Sequence, residues 1–330
     1  MTIRRIVVHG AGALGGVLGA RLAEALPVAL VGRPPHTGAI ALSGLRLEGQ
    51  RNQVVRVGGN FQVRESLAAL QPGLGHGDLV LLCVKAAQAA GAARELILAG
   101  LPPLATVVAM QNGTGFEDDL RTGLKGRCEF FFAVSHVGAN LLSPGRIEDW
   151  GGEIVLPETP VARELSGHFI KGGLSAVCVA DVEIERWKKV AFNCALNAVG
   201  ALLECRNRET LLPELKSLRL AVLAEARDEA VTRGVALPDA PALLEEFEQR
   251  AGASANENSM LQDLRRAKPT ENPYLNGAIA RMARERGKQA PANALLGHWI
   301  EKLERVPDDA QRAPLRARAL ELCRKVDARA

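Results

Sequence analysis

At 330 residues the chain is too long for one small domain, and its 47% hydrophobic content can fill two cores. The net charge of +4, from 41 basic and 37 acidic residues mixed along the chain, contains no basic block that would call for a nucleic-acid partner. Six cysteines without Cys-x-x-Cys spacing and six histidines without paired ligand spacing argue for free thiols in a reducing compartment and against a metal site.

The N-terminus sets Arg4 and Arg5 before an apolar stretch, as a signal peptide would. That stretch holds His9 and five glycines before Arg21, and it is too short to span a bilayer. A cytoplasmic protein with no membrane partner is expected. Ile6 to Val8 form a β-branched run suited to a buried parallel strand. Gly10, Gly12 and Gly15 follow in G-x-G-x-x-G spacing, then a helix to about Leu26, then a second strand, "VALV" (28–31). Strand, glycine turn, helix and strand in that order make the loop Gly10, Ala11, Gly12, Ala13, Leu14, Gly15 a dinucleotide-phosphate cradle. Gly10 allows the tight turn, Gly12 lets backbone approach a pyrophosphate, and Gly15 lets helix pack on strand. An NAD site wants an acid at the end of the second strand; this chain has Gly32-Arg33, followed by His36. A guanidinium can grip a 2′-phosphate bidentately, so NADP(H) is favoured over NAD(H), against a competing reading of Arg33 as a surface charge.

"DLVLLCVK" (78–85) reads as a strand, 86–98 as a helix and "TVVAM" (106–110) as another strand, a βαβ rhythm that predicts a doubly wound parallel sheet. Lys85 and the run Gln111-Asn112-Gly113 fall at strand ends, where such sheets bind ligands. For Lys85 an exposed strand-end lysine explains the position as well. "FFAVSH", "GRIEDW" and "EIVL" (between 131 and 156) read as further strands closing the domain, with antiparallel pairing the expectation. After "AVCV" (176–179) the strand signals stop.

The rest reads as helices. Asp181 can cap the next one, with Glu183 and Glu185 in its first turn. Lys189, Asn193 and Asn197 are spaced four apart in an otherwise apolar segment. On a helix they span about 80° of arc and about 12 Å of length, so all three point one way. Left unpaired against a core, each would cost roughly 1–3 kcal/mol. A buried polar network tying two helices and a substrate site both satisfy that requirement. The segment 256–277, rich in Asn, Gln and Asp, then places Ser259 and Glu271 between amphipathic helices around 213–233 and 275–286. A lysine, a carboxylate, a serine and several amides are the parts needed to reduce a carbonyl, the ammonium giving its proton to the developing alkoxide. The basic C-terminal stretch with Arg312, Arg316, Arg318, Arg324 and Lys325 reads as a solvated helix or frayed end.

The pieces "GAGALG", "VKAAQ", "QNG", "ERWKKVAFNCALNA", "NSMLQDLRRAKPTE" and "YLNG" together resemble the ketopantoate reductase (2-dehydropantoate 2-reductase) family, to about residue 305. The resemblance implies an α/β fold in which an N-terminal Rossmann-type doubly wound parallel sheet (1–180, binding NADP(H)) is followed by an all-helical C-terminal domain (181–330) for substrate binding and catalysis, with a cleft between them. It implies reduction of 2-dehydropantoate to (R)-pantoate with NADPH, on the way to pantothenate and coenzyme A. Lys189 would be the general acid and Glu271 its carboxylate partner. Asn193, Asn197, Ser259 and Asn112 would hold substrate, and Asn207 matches a further family asparagine. Lys85, Asn112 and Glu271 would join Arg33 and the glycine loop at the cofactor. Pro273 stands where the family usually has an acid, and it removes a donor and fixes φ just after Glu271. The motif residues recognise a carboxylate beside a ketone, so a paralogue reducing another 2-oxo acid is the first alternative. A sensor that holds NADP(H) without turnover is the second, and it would have no need of Lys189 and Glu271 together. A homodimer through the C-terminal helices is a further expectation.

Overall fold

The strand-rich and helix-rich parts of the sequence fold as two units in the computed structural model, which describes residues 2–326 apart from 104, 125 and 307. The first comprises Met1–Gln111 and Phe116–Val182, the second Asn112–Gly115 and Glu183–Ala330.

In the first unit the chain runs β1 (Arg5–His9), α1 (Ala13–Leu22), β2 (Val28–Val31), α2 (His36–Ser43), β3 (Leu45–Gly49), β4 (Gln53–Val55), β5 (Phe61–Arg64) and β6 (Asp78–Leu82). It continues with α3 (Ala89–Leu98), β7 (Thr106–Ala109), α4 (Glu117–Leu124), β8 (Glu129–Phe132), β9 (Val134–Ser135), β10 (Gly138–Ser143), β11 (Arg146–Gly151), β12 (Glu153–Pro157), α5 (Pro160–Lys171) and β13 (Ser175–Val179). Six parallel strands form its main sheet in the order β5-β2-β1-β6-β7-β8. The inner strands β2, β6 and β7 are buried at every residue and β1 at all but its first, which is why they read as unbroken apolar runs. The edge strand β5 alternates buried and half-buried residues instead. Strand order reverses between β1 and β6, so the glycine loop that follows β1 lies at the topological switch point.

Several boundaries differ from the sequence reading. Helix α1 stops at Leu22, and β6 stops at Leu82, so Lys85 stands beyond the strand at the start of a 3-10 turn (Ala86–Gln88). The strands between 129 and 157 are only partly antiparallel. β10–β11 and β9–β12 pair that way, but β8 runs parallel to β7, β11 to β3 and β12 to β13. The segment 45–64, not singled out in the sequence, supplies β3 and β4 for a second sheet, β10-β11-β3-β4, and β5 for the main one. Its signal is a short period-two alternation, weaker than an apolar run.

Helix α1 is tied to the second sheet by a buried ion pair. Arg21 donates to Asp149 Oδ2 from Nη2 (2.5 Å) and Nε (3.2 Å), and Asp149 Oδ1 accepts from the Gly151 amide at 2.9 Å. Both side chains are out of contact with solvent.

The second unit is built on α6 (Val182–Leu203), a 22-residue helix that begins directly after Asp181. Around it lie α7 (Lys216–Thr232), α8 (Ala240–Ala253), α9 (Ser259–Arg265), α10 (Asn276–Glu285), α11 (Pro291–Glu304) and α12 (Asp309–Cys323). Val190, Ala191, Cys194, Ala195, Ala198 and Leu202 of α6 enter one apolar core with residues from all the helices around it. A ladder of fully buried amides crosses that core. Asn276 Nδ2 donates to the Cys194 carbonyl (3.1 Å) and to Asn293 Oδ1 (3.0 Å), and Asn293 donates to Glu225 at 2.8 Å. Glu225 also accepts the Ala292 and Asn293 amides at 2.8 Å each, capping α11 from α7. Burial pushes its pKa up, and those bonds oppose the push.

The basic C-terminal stretch is not a solvated tail. Arg312 and Arg316 of α12 are buried, at 2% and 5% exposure. Arg312 donates to the carbonyls of Leu264 (2.9 Å), Leu303 (3.1 Å) and Val306 (2.6 Å), at or just past the C-terminal ends of α9 and α11. Arg316 pairs with Glu204 (2.9 Å) and Asp309 (3.0 Å). Arg318, Arg324 and Lys325 are exposed, as a solvated helix face requires. No helix among the described residues is long and apolar enough to cross a membrane.

Removing one member of a buried ion pair strands the other. Asp149→Asn is therefore expected to lower unfolding free energy by about 3–5 kcal/mol in urea titration. An unchanged midpoint and slope would mean that Arg21 finds another partner.

Candidate active site

In the first unit the glycine loop is shaped by atoms that are missing. Gly10 has φ +115°, and a Cβ there would lie 2.6 Å from the backbone of Cys83 and Val84. A Cβ on Gly15 would meet the Gly10 carbonyl oxygen at 2.1 Å. Over Gly12, by contrast, nothing lies within 4 Å, and Gly12 is the N-cap of α1. That helix has no side-chain cap and no acid in its first turn, so no side chain neutralises its N-terminal end. Gly32 was not singled out in the sequence, yet a Cβ on it would strike Ala11 Cβ at 2.4 Å. Its bareness brings the end of β2, and with it Arg33, against the loop. Arg33 is exposed, and no hydrogen bond or ion pair from another described residue ends on its guanidinium. Lys85 is exposed on the connection that packs against Gly10. His36 turns inward, where Nδ1 accepts the Gly145 amide at 2.9 Å. Gln111 is also buried and donates to the Leu82 carbonyl at 3.0 Å. A bare helix N-terminus, an approachable backbone and a free guanidinium fit a dinucleotide phosphate.

In the second unit Lys189 is half-buried on α6. Loss of hydration pulls its pKa down to about 8, against the opposing pull of the Glu271 carboxylate. Glu271 precedes a 3-10 turn (Asn272–Tyr274) and accepts from Asn112 Nδ2 at 3.3 Å. Asn112 follows Gln111 directly but belongs with the helical unit, because the strap 112–115 is fastened there. The Thr114 amide donates to the Tyr274 carbonyl at 2.8 Å, and Arg186 Nη1 donates to the Gly113 carbonyl at 3.3 Å. Pro273 does not disturb this geometry. It occupies the first positions of the 3-10 turn, where its missing N–H has no partner to lose, and the Tyr274 amide still bonds the Glu271 carbonyl at 2.9 Å.

Asn193 and Asn197 follow Lys189 along one side of α6, half-buried and 4% exposed respectively. No hydrogen bond from another described residue ends on either amide. Gly200 lies within the same arc, about 16 Å along the axis from Lys189. A Cβ on Gly200 would sit 2.3 Å from Asn258 Nδ2, so the start of α9 rests on the far end of this stripe. Asn258 caps α9 through Oδ1 (3.0 Å from the Leu261 amide), and its buried Nδ2 makes no hydrogen bond. Ser259, the next residue, is exposed. Asn207 donates to Ser254 Oγ at 2.9 Å, while its Oδ1 is likewise buried without a bond. Lys189, Glu271 and Asn112 are thus brought together at one end of the stripe. Asn193 and Asn197 occupy its middle, with Ser259 toward the other end. Arg186, Gly200 and Tyr274 escaped the sequence reading, although Arg186 and Gly200 fall in the same helical arc. The set can give a proton near neutral pH and present amides to oxygen atoms. Among the described residues no group of His, Cys, Asp and Glu is arranged to hold a metal ion.

Comparison with known proteins agrees over both units. Residues 6–160 match the family described as "Ketopantoate reductase PanE/ApbA", and residues 181–304 match "Ketopantoate reductase PanE/ApbA C terminal". A 2-dehydropantoate 2-reductase of Pyrococcus abyssi is 31% identical over 91% of this chain and 98% of its own length. The enzyme of the same name from Archaeoglobus fulgidus is 29% identical over 92% and 99%. A crystal structure of a PanE/ApbA family ketopantoate reductase from Ralstonia eutropha superposes with a TM-score of 0.80 at 30% identity, over 91% of this chain and 98% of that one. D-mandelate dehydrogenase bound to NADH and anilino(oxo)acetate shares the fold at a TM-score of 0.79 and 21% identity, over 91% and 98%. On these matches the chain belongs to the ketopantoate reductase family.

Proposed function

We propose that this protein reduces 2-dehydropantoate to (R)-pantoate with NADPH. The observation that carries the reading is Lys189, an ammonium whose pKa is drawn to about 8 beside Glu271 and Asn112. A group with that pKa is mostly protonated at neutral pH, yet it gives up its proton far more readily than an ordinary lysine. The reduced nicotinamide, once bound, supplies the hydride. Lys189 Nζ then passes a proton to the carbonyl oxygen as negative charge gathers there, and it recovers one from solvent afterwards. Glu271 keeps Lys189 charged between turnovers. Asn193 and Asn197, whose amides no described residue bonds, hydrogen-bond the substrate's oxygens, with Ser259 taking its carboxylate. The glycine loop, the first amides of α1 and Lys85 hold the cofactor, and Arg33 grips its 2′-phosphate.

Lys189→Ala should lower kcat by roughly 10²–10⁴, the usual size of a lost proton donor. Stopped-flow or steady-state NADPH oxidation measures this, and undiminished turnover would remove the lysine from the chemistry. The donor must be protonated to act, so reduction should hold below pH 8 and fall as pH rises past about 8. Oxidation of (R)-pantoate should rise over the same range, and a reduction rate flat to pH 10 contradicts the role. Arg33→Ala should raise the KM for NADPH far more than that for NADH, whereas equal losses would place the 2′-phosphate elsewhere. Comparing kcat/KM for 2-dehydropantoate with a panel of other 2-oxo acids tests the substrate directly. A clear preference for another acid would reassign it.

A further inference from the structure

Arg186 stands one turn before Lys189 on α6 and is 8% exposed. Glu183 holds one side of its guanidinium, accepting from Nε at 2.9 Å and pairing with Nη2 at 2.9 Å. The opposite nitrogen, Nη1, donates to the Gly113 carbonyl at 3.3 Å. Gly113 has φ +88°, and a Cβ on it would lie 2.3 Å from the Tyr274 carbonyl oxygen. The next amide, Thr114, donates to that same oxygen at 2.8 Å. The strap Asn112–Gly115 is therefore pinned from two directions, by the turn after Glu271 and by α6. Its first residue carries the amide that engages Glu271 Oε2 at 3.3 Å. A planar guanidinium oriented by a carboxylate suits this task, since its donors leave in fixed directions.

We propose that Arg186 is a positioning residue of this site: through the Gly113 carbonyl it holds the strap where Asn112 engages Glu271. This rests on the reading of Lys189 as proton donor only for its effect on turnover. Charged groups along this stretch of α6 include Glu183, Glu185, Arg186 and Lys188 on the helix itself, Glu246 from α8, Arg233 just past the end of α7, and Glu271. Lys188 is taken up by Glu185 and Glu246 at 3.3 Å each, and Arg233 lies over the Trp187 ring at 5.6 Å. Glu271 is the charge that acts on Lys189. With the strap released, Glu271 loses its amide partner and turns more fully toward Lys189, and water reaches the ammonium. Both changes favour its charged form, so its titration moves up in pH.

The test follows Lys189 itself, by trace acetic anhydride labelling of the intact protein across pH, read by mass spectrometry on the peptide that holds it. Arg186→Met and Asn112→Ala should each raise the midpoint from about 8 toward the ordinary lysine value of 10.5, and the double variant should move it no further than either alone. Arg186→Lys, which keeps charge and bulk but not the fork, should give a smaller shift. In turnover, Arg186→Met should lower kcat at pH 7 by roughly tenfold to a hundredfold, as a misplaced site does. An unmoved labelling midpoint in folded Arg186→Met, or additive shifts in the double variant, overturns the proposal. Should Arg186→Met fail to fold, an unmoved midpoint in Arg186→Lys and Glu183→Gln would do the same. The labelling result stands whether or not Lys189→Ala abolishes turnover, so the failure of one idea is distinguishable from the failure of the other.

Discussion

Lys189 titrates near 8 rather than 10.5, so withdrawal from water disfavours its charged form by about 3 kcal/mol even with Glu271 alongside. Much of the helical unit can be understood as what is needed to keep that arrangement. A carboxylate free to swing would either neutralise the lysine fully or leave it to lose its proton. Glu271 is instead held at the head of a short turn, with one oxygen engaged by Asn112. The turn is anchored in its own right, for Asn272 is fully buried and donates to the Gly297 carbonyl at 2.9 Å. Four residues on, Asn276 fastens the start of α10 to the backbone of α6 at Cys194.

Amides and guanidiniums in this unit serve backbone more than they serve one another. A bundle of short helices creates many unsatisfied ends, each leaving four donors or four acceptors without an intrahelical partner. Glu225 completes the start of α11, and Arg312 the ends of α9 and α11. Such groups cost desolvation energy, but removal of Glu225 would take the carboxylate from the Ala292 and Asn293 amides at once. The same economy separates polar groups that donate within the unit from those that no described residue bonds. The Nδ2 groups of Asn276 and Asn293 donate within the unit, whereas no described residue bonds the side chains of Asn193 and Asn197.

The first unit reaches a comparable end by omission. Gly10, Gly15 and Gly32 each let backbone or a methyl group come closer than a Cβ permits, and together they draw β1, β2 and the segment after β6 around one open loop. Helix α1, without a side-chain cap, begins there, and no described residue bonds the guanidinium of Arg33 nearby.

Periodicity and local chemistry determined a good deal from the sequence by itself. Apolar runs that alternate with helical patterns specify a doubly wound sheet, because a parallel strand buried on both faces has no polar alternation to show. The glycine spacing specifies the loop, and three polar residues four apart specify a stripe on one side of α6 whatever surrounds that helix. Only the folded chain shows what surrounds the stripe. Either a buried network or a site would satisfy the same spacing; in the fold no described residue bonds the amides of Asn193 and Asn197, while Glu271 and Asn112, far along the chain, arrive beside Lys189. Tertiary structure likewise decided that Arg312 meets backbone carbonyls and Arg316 meets carboxylates rather than water, and that Asn112 belongs to the helical unit although Gln111 does not. These are facts about carbonyls and carboxylates brought close by the fold. Hydration and Coulomb forces act through space, so a lysine's pKa or a guanidinium's partner is set by neighbours that no local pattern in the chain identifies.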